Sequence, residues 1–171
     1  MSAVIDARAR AKVQPVAEET IQGEYLQALR LIERLHRLLL DVIKDEFQRQ
    51  GGSDLNSVQA LLIYNIGESE LTAGDLKRGG YYLGSNVSYN LKKLVDMGYI
   101  HYKKSETDGR SVRVSLTEKG HDVCDVVNKL YHRQLNSIRT VGSVDSEDLK
   151  SLNKALIRLE RFWSHQILYR L

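Results

Sequence analysis

The sequence predicts a mostly α-helical chain carrying one small β-hairpin. Three observations lead there. Apolar residues recur at helical spacing over most of the 171 residues. The exception lies between Ile100 and Leu116, where the period falls from about 3.6 to about 2 on either side of Asp108-Gly109, a strong hairpin signal. Finally, 42% hydrophobic and 27% charged residues suit a packed core, and the length suits one compact unit with a short arm.

Taken in order, residues 1–18 contain the single proline, Pro15, and no clear periodicity, and read as a flexible arm. From about Glu24 onward Ala28, Leu31, Ile32, Leu35, Leu38, Leu39, Val42, Ile43 and Phe47 mark a long helix that ends at Gly51-Gly52. Leu26, Leu29 and Leu40 widen its apolar surface beyond one stripe, so residues 19–50 read as a dimerisation helix covered by a partner subunit. Asn56 or Ser57 caps a second helix running through Ile66. Thr72, with Asp75 three residues on, opens a short helix that stops at Gly79-Gly80. After Tyr81-Tyr82-Leu83-Gly84, Ser85 opens another with Val87, Leu91, Leu94 and Val95 on its apolar face and Gly98 at its end. Two short helices at a tight turn resemble a helix-turn-helix, and with the hairpin they make residues 53–117 a winged helix-turn-helix lobe. Thr117 caps a long helix carrying Val123, Val126, Val127, Leu130, Tyr131, Leu135 and Ile138. Ser146, backed by Glu147 and Asp148, starts a last helix on Leu149, Leu152, Leu156, Leu159, Trp163 and Ile167. Residues 118–171 therefore complete the dimerisation region.

Several function classes drop out. No apolar run approaches the about 18 residues of a membrane span, and the first 20 residues lack a signal-peptide core, so a cytoplasmic protein is expected. The one cysteine, Cys124, has no disulfide partner, and the five histidines lack metal-ligand spacing. Neither GxSxG, a phosphate loop nor HExxH occurs, so no enzyme, cofactor or metal is expected.

Charge points elsewhere. Residues 71–116 hold eight bases against four acids, a local excess larger than the net +3 of the whole chain. A polyanion-facing surface fits that bias, and so does a solvated basic face. In the helix opened by Ser85, the groups Ser85, Asn86, Ser88, Tyr89 and Asn90 are short or planar and suit base edges and phosphates of double-stranded DNA, while Lys92 and Lys93 suit the flanking backbone. Lys103, Lys104, Arg110 and Arg113 concentrate near the hairpin tip, where a basic ribbon can reach a narrow minor groove.

The run D-x-R-S-x-x-V-x-L-T-x-x-G, here Asp108, Arg110, Ser111, Val114, Leu116, Thr117 and Gly120, resembles the MarR family of winged-helix repressors. The stretch from Gly79 to Ser88 resembles the LdtR-like branch of that family. Over residues 24–168 the resemblance implies a homodimer, a wing at 99–116 in which Asp108 holds Arg110 near the duplex, and a small-molecule pocket. Gly109 stands where many members carry a second base. The implied pocket walls are Leu39, Ile43 and Phe47 with Tyr64 and Asn65, which suit an aromatic acid or phenol. Tyr64, Tyr81, Tyr82 and Tyr89 read equally as pocket or as core. The expected function is a ligand-responsive repressor or dual regulator that binds a pseudo-palindromic operator. The alternatives are an effector-independent winged-helix architectural or interaction module, and a redox sensor acting through Cys124.

Overall fold

The computed structural model describes residues 3–68, 70–72, 75, 84–104 and 112–169. Among the described residues five helices and three strands follow in the order α1 (Ala3–Arg49), α2 (Ser57–Ile66), β1 (Leu71–Thr72), α3 (Gly84–Asp96), β2 (Ile100–Lys104), β3 (Val112–Leu116), α4 (Glu118–Ile138) and α5 (Ser146–Tyr169). The mostly helical fold with a small wing sheet is the one the periodicity predicts.

Local chemistry sets most boundaries. At the end of α1 the Gly52 N–H reaches the Phe47 carbonyl and the Gly51 N–H the Gln48 carbonyl, the paired bonds of a Schellman stop. Asn56 caps α2 in a full capping box: its side chain accepts from Gln59 N, and the Gln59 side chain accepts from Asn56 N. Thr72 and Asp75 bond reciprocally as the sequence suggests, although the rest of the short helix at 73–80 lies outside the described residues. Gly98 ends α3 at φ +77°, a left-handed turn open to glycine, while Tyr99 N bonds the Leu94 carbonyl. The Thr117 side chain accepts from Gly120 N and starts α4.

The structure adds three details to that reading. Where the sequence reads residues 1–18 as an arm, α1 is helical from Ala3 through Pro15. Proline costs one N–H and some strain, but the alanines, arginines and glutamates around it have high helix propensity, and a single breaker does not outweigh them. The last helix starts at Ser146 as the spacing predicts, and Asp145 caps it: its carboxylate accepts from Glu147 N and Asp148 N, while the Asp148 carboxylate accepts from Asp145 N. The hairpin is also one strand short of the real sheet. The order is β1-β3-β2, all antiparallel, with Leu71 opposite Val114 and Ile100 opposite Leu116. A two-residue strand carries no readable alternation, so only its partner defines it.

The core forms where α1, α2, α3, α4 and the sheet meet. Ile43, Leu62, Ile63, Leu94, Val114 and Val127 are fully buried there. Two polar ties cross it. Glu46 on α1, almost completely buried, accepts from Arg133 on α4 and from Gln50. These bonds, Arg133 first, hold its carboxyl below the ordinary value of 4.5 despite burial. Tyr99 donates to Asp54 at 2.5 Å while the Lys119 ammonium lies 3.9 Å over its ring, joining the α1–α2 turn, the start of β2 and α4.

Candidate nucleic-acid interface

Helix α3 is amphipathic, and the sheet side fixes which face it hides. Leu91 and Leu94 are buried, which leaves Ser88, Tyr89, Lys92 and Lys93 exposed and Asn90 half-buried at the margin. Lys93 Nζ lies 5.7 Å from the centre of the Tyr89 ring, so aromatic and ammonium groups share one exposed surface. Ser85 and Asn86 occupy the first turn of the same helix. The sequence-predicted set on α3 therefore comes together on one element, with its lysines opposite the buried leucines.

The hairpin adds a second basic surface. Lys103 on β2 pairs directly with Arg113 on β3, and both are exposed. Two like charges across a ladder cost stability unless something offsets them. Glu70, just before β1, bonds Arg113 at 3.1 Å and supplies part of that offset. Lys104 ends β2. Asp108 and Arg110 fall outside the described residues, so the tip expected from the family motif is not part of this geometry.

Sequence reasoning missed one residue beside this face. Gln59 is 3% exposed, and its Nε2 donates to Asn90 Oδ1 at 3.3 Å. The signal was present, since Asn56-x-x-Gln59 is a capping-box spacing, but the bond across to α3 is not local.

The residues expected to wall an effector pocket fall on α1 (Leu39, Ile43, Phe47) and α2 (Tyr64, Asn65). Ile43 is fully buried, with Leu39 and Phe47 packed on the same core cluster. Phe47 borders a cavity of about 370 Å³ with Lys44, Leu55 and Asn56. Tyr64 borders another of about 430 Å³ with Asn128, Tyr131, His132, Leu135 and Ile138. Asn65 is half-buried and lines neither. Tyr64 meets Tyr131 edge-on, ring centres 5.2 Å apart, so within the described residues it is both packing and cavity wall. Cys124 offers little to an oxidant. Burial, with Glu68 and Asp125 adding to it, pushes its thiol up to about 11, so at neutral pH it stays protonated in the core.

Away from the lobe, α5 has no buried residue among those described. Its Trp163 donates to the Tyr25 hydroxyl at 3.2 Å, and an open groove of about 680 Å³ runs between the helices, lined by Ile32, Leu156, Ile157, Leu159, Trp163 and Ile167. Among the described residues no three metal-ligating side chains converge, and no helix is long and apolar enough to cross a membrane.

Comparison with known proteins bears on this geometry. Residues 55–120 match the family described as winged helix DNA-binding domain. The chain is 36% identical over 148 residues to the exopolysaccharide II synthesis transcriptional activator ExpG of Rhizobium meliloti (strain 1021), covering 85% of this chain and 74% of that protein. A cysteine-to-serine mutant of MarR from E. coli, complexed with operator DNA, superposes with a TM-score of 0.64 at 19% identity over 80% of this chain and 95% of that one. AbsC, a MarR family transcriptional regulator from Streptomyces coelicolor, gives 0.63 at 23% identity over 82% and 95%.

Proposed function

Because this chain belongs to the MarR-type family of winged-helix DNA-binding transcriptional regulators, we propose that it binds a pseudo-palindromic operator as a homodimer and is released by a small aromatic acid or phenol. The carrying observation is the exposed face of α3, with Tyr89, Lys92 and Lys93 turned away from buried Leu91 and Leu94. In this reading α3 enters the major groove, its first-turn Ser85 and Asn86 joining Ser88, Tyr89 and Asn90 at the bases, and Lys103, Lys104, Arg110 and Arg113 hold the flanking backbone or minor groove, with Asp108 bracing Arg110. The Rhizobium relative is described as an activator, so activation stands beside repression.

Dimerisation is supported by exposed Leu31, Leu35 and Leu38 on α1 and Leu152, Leu156, Phe162 and Ile167 on α5. A monomer rarely leaves so much apolar surface in water. A two-fold pair would set the two α3 helices about 34–36 Å apart, one turn of DNA. For the effector, the cavity beside Tyr64 and Tyr131 is large enough for one aromatic ring and offers Asn128 and His132 as polar partners. A tenfold release from DNA needs about 1.4 kcal/mol of coupling between the two sites.

Sedimentation, selection of bound genomic fragments and titration of aromatic acids against the resulting complex test the three parts in turn. A monomeric mass at micromolar concentration, or the absence of any selected sequence, ends the reading. Leu135→Trp fills the proposed effector cavity without disturbing fully buried Ile43; release that persists unchanged in that variant places the switch elsewhere.

A further inference from the structure

The wing sheet gathers its charge on one face. Val114 is fully buried, so by strand alternation Arg113 beside it points away from the core. Its partners across the ladder share that face: Thr72 on β1 and Lys103 on β2. Arg113 on the central strand therefore stands in the middle of the outer row, with a second cation directly opposite. Glu70, two residues before Thr72, reaches the same row, its Oε2 accepting from Arg113 Nη1 at 3.1 Å.

That bond supplies charge more than geometry. It joins one nitrogen to one oxygen, whereas the contact that fixes a guanidinium plane is two-pronged. The two side chains are 49% and 41% exposed, so water and salt weaken the pair and a phosphate can share or displace it at little cost. The carboxylate stays behind when that happens. Within a Debye length of about 10 Å it offsets the attraction of Arg113 and Lys103 for the DNA backbone. We propose that Glu70 is a charge brake on the wing, holding Arg113 in the free protein and lowering the affinity of the wing for any duplex by acting through Arg113. The proposal rests on the wing facing the DNA backbone. It makes an acidic residue ahead of β1 a determinant of how strongly DNA is held, and not of which sequence is chosen, because backbone contacts carry no base information.

Glu70→Gln is the direct test, since it keeps an oxygen for Arg113 and removes the charge. Fluorescence anisotropy across a salt series, with a selected genomic fragment and with a random-sequence duplex, reads the effect. At about 0.1 M salt the variant should bind both duplexes roughly two- to fivefold more tightly, with a salt slope steeper by at most about 0.9. Glu70→Ala, which removes the acceptor as well, should gain at least as much. In an Arg113→Ala background the gain should disappear. Weaker binding by Glu70→Gln, which would make Glu70 an orienting residue, overturns the brake. So does a gain confined to the selected fragment, or one that persists in full without Arg113. Arg113→Ala alone tests the reading beneath. If it binds with wild-type affinity and slope, the placement of the wing on DNA fails and the brake with it; if it weakens binding while Glu70→Gln changes nothing, the brake alone fails.

Discussion

Replacing Gly120 with alanine should destabilise the protein, against the usual trend for a helical glycine. Gly120 is the third residue of α4, is buried, and donates to the capping Thr117 hydroxyl at 3.1 Å. A Cβ built there lies 2.3 Å from the Tyr99 carbonyl oxygen and 3.2 Å from Leu116 Cβ. Ordinary contact would need about 1 Å more, and the obstacle is backbone at the start of the hairpin, which itself accepts from Thr117 N at 3.1 Å. Overpacking of this kind costs about 1–3 kcal/mol, while the gain in helix propensity returns about 1 kcal/mol or less. The clash wins, with a net loss of about 1–2 kcal/mol and a fall in melting temperature of about 2–8 °C for a chain of this size. Gly23 on α1 is the matched control, because a Cβ there meets nothing within 4 Å. Gly23→Ala should raise the midpoint by about 2–4 °C. Circular-dichroism melts at equal protein concentration read both. If Gly120→Ala melts at or above wild type, or the two variants move in the same direction, the close approach of α4 to β2 is not what the glycine serves.

Other predictions follow from the polar ties and the exposed face. Since Arg133 and Gln50 hold the Glu46 carboxyl below 4.5, its contribution is present above about pH 4.5 and fades as the pH falls through the lower folded value. Urea midpoints should therefore drop for Glu46→Gln at neutral pH and converge on wild type in acid; a constant gap would contradict this. With the Cys124 thiol at about 11 against an ordinary 9.0, its contribution is present at neutral pH and lost between about pH 9 and about pH 11. Native protein should resist iodoacetamide near pH 8, and fast stoichiometric labelling would refute the burial argument. On the operator, Tyr89→Ala should cost about 1–3 kcal/mol and relax preference at one position per half-site, whereas Lys92→Ala should weaken all sequences alike and lower the salt slope by about 0.9 per lost phosphate contact. Fluorescence anisotropy across a salt series separates the two, and reversed behaviour would invert the face assigned to α3.

What the sequence determined by itself was local. The caps of α2 and α4, the glycine stops after α1 and α3, and the alternation of β2 and β3 each depend on groups within a turn or a strand of one another, so residue type and spacing suffice to read them. The basic face of α3 was legible for the same reason, because Leu91 and Leu94 leave only one side for Lys92 and Lys93. The start of α1 is not legible locally, because Pro15 is a helix breaker set among helix-favouring neighbours. Other features were settled by the tertiary structure alone. Strand β1 exists through Val114 and Arg113, the carboxyl of Glu46 is held below its ordinary value through Arg133, and Gln59 bonds Asn90 across 31 residues. Such pairings depend on how two faces register once packed, and spacing along the chain carries no record of that register.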